Sequence, residues 1–427
     1  MKFINTRNPN DTATFREAVL RGMAPGGGLW MPESLPVFED WDSLLQLRWV
    51  ERSEIILRRF IGVEFDQDAL AAAISSALDF PIPLTQIRRG LYALELFHGP
   101  TLAFKDVGAR FFAHILDLVR EPGLPLTILT ATSGDTGAAV AQAFWHRPAA
   151  RVVVLYPKGR VSDLQERQFA TLGDNVAALA VEGSFDDCQA LVKECFDDAA
   201  LSAKHGLTSA NSINVARLLP QMLYYTEAVA QLHKQDVREG IVMAVPSGNF
   251  GNICAGLMAK QTGLPIRAFV AATNANATVP RYLDSGDYLP QPSIATISNA
   301  MDVGAPNNWE RIQHLFGGDL YSLRQALRWG FKNDADTKRS IRELMGMGYL
   351  ADPHAAVAYA VLEERLGLSE TGVFLGTAHP AKFLPVYEPM GIQVPVPDSL
   401  ESLRDRPLLS KDIPNNVAAV RQALENS

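Results

Sequence analysis

The stretch Leu126-Thr127-Ile128-Leu129-Thr130-Ala131-Thr132-Ser133-Gly134-Asp135-Thr136-Gly137, running on to Trp145, decides how this chain folds. Residues 126–129 form an apolar run of strand length, a turn rich in hydroxyls and glycine follows, and 137–145 carry helical spacing. The same order recurs along the chain. Apolar runs lie at 152–156, 176–181, 241–245, 266–271 and 373–375, and helices are expected at 185–199, 216–232, 251–261 and 355–366. Strands that are apolar throughout, alternating with helices, predict α/β architecture: parallel sheets with helices on both faces. Ligands in such folds gather at the carboxyl ends of the strands.

Upstream, residues 1–88 read as a mainly helical N-terminal region, with amphipathic stretches at 14–20, 53–60 and 68–78. Phe80-Pro81-Ile82-Pro83 punctuates its end. The expected division is then 89–215, a smaller α/β unit, and 216–427, a larger one. A length of 427 residues suits two or three domains.

Composition narrows the function. A net charge of -8 argues against nucleic acid or an anionic membrane as partner. No run approaches the roughly 20 apolar residues of a membrane span, and the first 30 residues lack a signal peptide's apolar core. Cys188, Cys195 and Cys254 lack metal-ligand spacing, as do His98, His354 and His379, so no metal is expected. A reducing, cytoplasmic compartment and a small-molecule partner are expected.

Five segments carry chemistry. Lys105 follows the apolar stretch 90–97 on the turn Phe97-His98-Gly99-Pro100-Thr101-Leu102-Ala103-Phe104. A lysine amine becomes a Schiff-base nucleophile once burial brings its pKa towards neutrality, a change of roughly 4 kcal/mol. Such an amine points to pyridoxal phosphate (PLP) as cofactor. Thr132, Ser133, Asp135 and Thr136 precede a helix, where hydroxyls and unpaired N–H groups form an anion site. Gly248-Asn249-Phe250-Gly251-Asn252 lets backbone N–H groups approach a phosphate. Ser212 and Arg217 can clamp a phosphate that belongs to the substrate. Thr377, in Gly376-Thr377-Ala378-His379-Pro380-Ala381-Lys382, can meet a pyridine nitrogen, with His379, Lys382 and His354 as weaker candidates. Each segment also has an ordinary reading: an exposed lysine, a helix cap, a plain turn, a cap followed by a surface arginine, a core histidine.

Together these segments resemble the threonine synthases, PLP enzymes of fold type II (tryptophan synthase β-like), in order and spacing over nearly the whole chain. Further matching stretches are Gly26-Gly27-Gly28-Leu29-Trp30, Ser298-Asn299-Ala300-Met301-Asp302, Pro306-Asn307-Asn308-Trp309 and Pro353-His354-Ala355-Ala356. Length resembles the bacterial and fungal branch, in which a monomer, dimerising weakly at most, is expected. The resemblance implies conversion of O-phospho-L-homoserine and water to L-threonine and phosphate, by γ-elimination and β-addition of water. It implies that Lys105 holds the cofactor and moves protons, and that Arg217 and Ser212 hold the substrate phosphate. Thr132, Ser133, Asp135 and Thr136 would orient the carboxylate end and the cofactor hydroxyl. Gly248, Asn249, Phe250, Gly251 and Asn252 would cradle the PLP phosphate, and Thr377 would meet the ring nitrogen. Three positions depart from the family pattern: Asn252 and Ala277, where an acid is expected, and Val215, where a small polar residue is.

The competing readings are another fold type II lyase (a threonine dehydratase, cysteine synthase or phospho-amino-acid lyase), a catalytically silent PLP-binding paralogue, and a metal-dependent hydrolase. Arg217 with Ser212 favours a phosphorylated substrate.

Overall fold

In the computed structural model, described for residues 1–120, 123, 126–147 and 150–425, the chain builds three sheets. The first is small and antiparallel, ordered β2-β1-β3, from β1 (Phe3–Asn5), β2 (Asn8–Ala13) and β3 (Trp30–Pro32). The N-terminal region therefore opens on strands before its helices Phe15–Arg21, Trp41–Gln46, Trp49–Ile61 and Gln67–Ala77. Sequence patterning missed this sheet because β2 is an exposed edge strand, Asn-Pro-Asn-Asp-Thr-Ala, with no apolar alternation and a proline that only an edge tolerates.

The large sheet is assembled from β4 (Leu84–Arg88) and β5 (Leu91–Glu95), and from later strands. The small α/β sheet takes β6 (Thr127–Ala131), β7 (Arg151–Pro157), β8 (Val176–Val181) and β9 (Leu207–Thr208). Then come β10 (Ile241–Pro246), β11 (Ala268–Thr273), β12 (Leu327–Phe331), β13 (Thr371–Gly376) and β14 (Lys411–Ile413). The orders are β12-β11-β10-β13-β5-β4 and β14-β8-β7-β6-β9. Every pairing in both sheets is parallel except β4 with β5.

Neither sheet is one continuous segment. The expected limit at 88 falls in the turn of the β4–β5 hairpin, and the limit at 215 falls at the first residue of the helix Val215–Leu218. β5 belongs with strands after residue 240, and β14 returns near the C-terminus to the small sheet. Local pattern carries no information about which distant strand a strand will pair with.

Helices cover both faces. Pro353–Arg365 packs its buried Ala355, Val357, Ala358 and Val361 on one face of the large sheet. Gln221–His233 and Gly251–Gln261 cover the other face, where Tyr225 meets the Phe269 ring edge-on at 5.2 Å. Among the described residues no helix is long and apolar enough to cross a membrane.

Candidate active site

The carboxyl ends of β5, β6, β10 and β13 open on one cavity of about 430 Å³, with residues of both α/β sheets in its wall. Beyond β5 the chain is zipped to the segment after β13. Leu96 N–H donates to Gly376 O at 2.9 Å, Phe104 N–H to Thr377 O at 2.9 Å, and His379 N–H to Leu102 O at 3.0 Å. Thr101 donates its N–H and hydroxyl to the buried Asp106 carboxylate, at 2.9 and 2.7 Å. Gly99 allows that approach, since a Cβ there would stand 2.5 Å from Asp106 Oδ2.

This scaffold delivers Lys105 as the first residue of the helix Lys105–Val119. The side chain is half-buried and lines the cavity. Among the described residues its amine makes no hydrogen bond or ion pair; its nearest recorded contact is the Phe104 ring, 5.3 Å to the centroid. Its pKa is pushed down to about 8, foremost by desolvation; the Asp135 charge opposes the fall, while Arg217 and Lys382 add to it. At neutral pH a useful fraction of the amine is therefore free base.

After β6, Thr132 is fully buried and its hydroxyl oxygen accepts from Gly134 N–H at 2.9 Å and Gly137 N–H at 2.8 Å. It thereby satisfies one first-turn donor of the helix Asp135–Phe144, whose N-cap is Gly134 with no side-chain cap of its own. Ser133 and Thr136 line the cavity beside it. Asp135 stands behind the wall: its Oδ1 takes the Lys382 ammonium at 2.7 Å and Gln165 Nε2 at 2.8 Å. Burial alone would raise its pKa; Lys382 above all, then Lys105 and Gln165, hold it below the usual carboxylate value.

After β10 the chain turns through Phe250 in the left-handed region, φ 58°, into the helix Gly251–Gln261. The first helical bond runs from Cys254 N–H to Phe250 O, so the N–H groups of Gly251 and Asn252 have no helical partner. The Asn249 side chain braces the loop: its Nδ2 donates to Ser212 Oγ at 2.8 Å and its Oδ1 accepts Asn307 N–H at 2.6 Å. Asn252 is buried at the cavity wall. Its Oδ1 accepts from Tyr224 and Tyr225, and its Nδ2 has no partner.

Ser212 Oγ accepts from Asn249 and, at 3.3 Å, from Asn308. Two amide donors on one hydroxyl oxygen leave its own proton for a third group. Arg217 is 3% exposed and donates Nη1 to Ala210 O; among the described residues it has no carboxylate within ion-pair reach and its Nε is unpaired. Desolvation lowers its pKa to about 10 while the Asp106 charge opposes the fall, so it stays a cation. Thr377 is buried at the same wall.

Sequence reasoning missed Gln165, Asn308 and Arg311. Arg311 is fully buried and binds the carbonyls of Ser212, Ile213 and Trp30, fixing the 211–214 turn. Nothing local in the sequence marks an arginine for burial. The three candidate histidines do not converge. His98 pairs with Glu95, His379 Nδ1 accepts Ala381 N–H, and His354 bonds Asp352 through Nδ1 while Nε2 accepts Ala300 N–H. Only His354 lines the cavity. Val215 and Ala277 are core residues, 0% and 1% exposed.

PLP has an aldehyde that needs an uncharged amine, a phosphate that needs donors, and a ring nitrogen that needs a partner. The unpaired Lys105 amine, the N–H groups of Gly251 and Asn252 with the orphan Asn252 Nδ2, and the Thr377 hydroxyl fit those needs.

The fold and this constellation define a pyridoxal-phosphate-dependent enzyme, and the family model "Pyridoxal-phosphate dependent enzyme" matches residues 78–375. The models "Threonine synthase N terminus" and "Threonine synthase, C-terminal" match residues 2–78 and 355–424. Threonine synthase of Haemophilus influenzae is 51% identical, with both chains covered in full. Threonine synthase of Escherichia coli is 48% identical; its crystal structure superposes with a TM-score of 0.95 over 100% of both chains. A PLP-bound threonine synthase structure from Brucella melitensis is 36% identical, TM-score 0.93, covering 99% of this chain and 98% of that one. The chain belongs to the threonine synthase family.

Proposed function

We propose that the chain converts O-phospho-L-homoserine and water to L-threonine and phosphate, with Lys105 as the cofactor lysine. The carrying observation is Arg217: a buried cation at the wall that holds Lys105, without an ion-paired carboxylate among the described residues, sharing that wall with the Ser212 hydroxyl, whose proton is free to donate. Such a pair takes a substrate phosphate, which serine, threonine and other unphosphorylated amino acids do not offer.

When bound, PLP supplies an electron sink that stabilises carbanion character next to the substrate nitrogen. Lys105 would hold the cofactor and, as a free amine, would take the Cα proton and serve the proton changes at Cβ. Arg217 and Ser212 hold the phosphate as its bond to Cγ breaks and after the oxygen departs. Ser133, Thr136 and the first-turn N–H groups of the helix Asp135–Phe144 orient the substrate carboxylate. Thr132 acts by holding that turn together, and Asp135 by tying it to Gln165 and Lys382 behind the wall. Gly248 to Asn252 would carry the cofactor phosphate, Asn249 through bracing, and Thr377 would meet the ring nitrogen. Water then adds at Cβ.

Incubation with O-phospho-L-homoserine, followed by chiral amino-acid analysis, tests the reading. L-Threonine with equimolar phosphate is the expected result; 2-oxobutanoate as main product would place the chain with the lyases instead. Lys105→Ala removes the absorbance near 410–420 nm, a rough expectation for lysine-linked cofactor. A cytoplasmic monomer is part of the same proposal, checked by light scattering.

A further inference from the structure

Lys382 ends the motif that begins at Thr377, and none of the steps above uses its charge. Its side chain is wholly buried, with Nζ 2.7 Å from Asp135 Oδ1 and 2.8 Å from Thr101 O. Its own carbonyl accepts from Ser162 Oγ at 2.9 Å, and Gln165 from the same segment takes up Asp135. Three pieces meet on this one ammonium: the turn before the helix Asp135–Phe144, the loop that ends on Lys105, and the segment after Thr377. Thr101 continues the connection to Asp106, next to Lys105 in the chain.

We propose that Lys382 is a positioning residue for Lys105: it cancels the Asp135 charge behind the cavity wall and pins the loop that delivers Lys105 to the turn that receives the substrate carboxylate. The charges around Lys105 are Asp135 on one helix, Arg217 on another, Lys382 beyond Asp135, and Asp106 beside it, itself held by Thr101. Lys382 in turn faces Asp135, Asp106 and His379. An uncompensated Asp135 would keep a proton on Lys105, and only the deprotonated amine attacks the PLP aldehyde. In that step the nitrogen bonds the aldehyde carbon and the carbonyl oxygen leaves as water, so its rate reads the free-base fraction.

The inference rests on Lys105 being the cofactor lysine. The full-length protein, freed of cofactor, is mixed with PLP over a range of pH, and the loading rate is followed by absorbance. In Lys382→Met the pH of half-maximal rate rises by about one unit, roughly tenfold slower loading at neutral pH. In Lys382→Met/Asp135→Asn the profile returns towards the parent. In Asp135→Asn alone, where Lys382 and Arg217 act unopposed, it moves to lower pH, which keeps the test decisive should Lys382→Met not fold. An unshifted profile in Lys382→Met, or in Asp135→Asn, overturns the proposal, as does a double variant displaced as far as the single. If Lys105→Ala still takes up PLP covalently, the assignment of Lys105 fails instead.

Discussion

Gly108 lies against Arg217 so closely that a Cβ on it would stand 2.9 Å from the Arg217 carbonyl oxygen and 3.0 Å from its Nε. Gly108 follows Lys105 by three residues on the same helix, so one helical turn sets Lys105 and the arginine in register. The close contact is to backbone, which cannot swing aside. Gly108→Ala should shift Arg217 at a cost of about 1–3 kcal/mol. We expect roughly tenfold or greater loss in kcat/KM for O-phospho-L-homoserine, carried mainly by KM, with PLP stoichiometry unchanged. Steady-state kinetics beside a cofactor titration separates the two.

Arg217 itself distinguishes charge from shape. Lys in its place keeps a cation but loses the planar fork that meets a phosphate with two parallel N–H groups. Arg217→Lys should lose on the order of 10²-fold in kcat/KM, and Arg217→Met more. Inorganic phosphate should inhibit the parent competitively and Arg217→Met hardly at all. Equal inhibition of both would place the substrate phosphate elsewhere.

Ser212→Ala removes a hydroxyl that accepts from Asn249 and Asn308 while offering its own proton to the cavity. Losing the donor should cost about tenfold in kcat/KM. Because Asn249 also braces the turn proposed to hold the PLP phosphate, a modest fall in PLP affinity should accompany it. A change in turnover with no change in cofactor affinity would separate Ser212 from that brace.

The strands of the two α/β sheets were legible where burial on both faces makes them apolar throughout, as in Val152-Val153-Val154-Leu155 or Ile241-Val242-Met243-Ala244-Val245. β9 and β14, of two and three residues, are too short to have a period, and β2 is polar. The helix expected over 216–232 is broken near Pro220, into Val215–Leu218 and Gln221–His233, because proline has no N–H to continue the ladder. Lys105, Ser133, Thr136, Arg217 and Thr377 line one cavity, and all but Arg217, which sits inside the helix Val215–Leu218, could be expected there because turn chemistry after a strand is local. The burial of Lys382 against Asp135 could not, since neither residue's neighbours in sequence announce its partner. Asp135 shows the cost: its loop was found, but the direction of its carboxylate was not.

Asn252 is one of the three positions where an expected family residue is replaced, and the structure explains how the amide is accommodated. Its Oδ1 accepts from Tyr224 and Tyr225 at 2.5 Å each, and both rings are fully buried. Asn252→Ala would take the shared acceptor away, leaving Tyr224 only Gln221 and Tyr225 only the Asn252 carbonyl. A loss of about 1–3 kcal/mol in stability follows, read from urea unfolding of the PLP-free protein. PLP affinity should fall as well, since the orphan Nδ2 faces the cavity wall.

Far from the cavity, Glu370 ties together the edge of the large sheet and sets an acid limit on it. Its carboxylate accepts two hydrogen bonds from Arg328 on β12, at 2.6 and 2.7 Å, and one from Arg267 at 3.0 Å just before β11. The Arg328 hydrogen bonds, more than any other contact, pull its pKa from an ordinary 4.5 to about 2. A carboxylate held lower in the folded than in the unfolded chain stabilises above its unfolded pKa. That contribution fades as pH falls from 4.5 through 2, because the unfolded chain takes up the proton first. The side chain is 8% exposed and Arg328 30%, so solvent screens part of the gain and roughly 1–2 kcal/mol remains. Glu370→Gln should therefore lower the urea midpoint at neutral pH, and the gap from the parent should narrow steadily on acidification. A gap that stays constant down to pH 3 would mean the packing of the side chain matters and its charge does not.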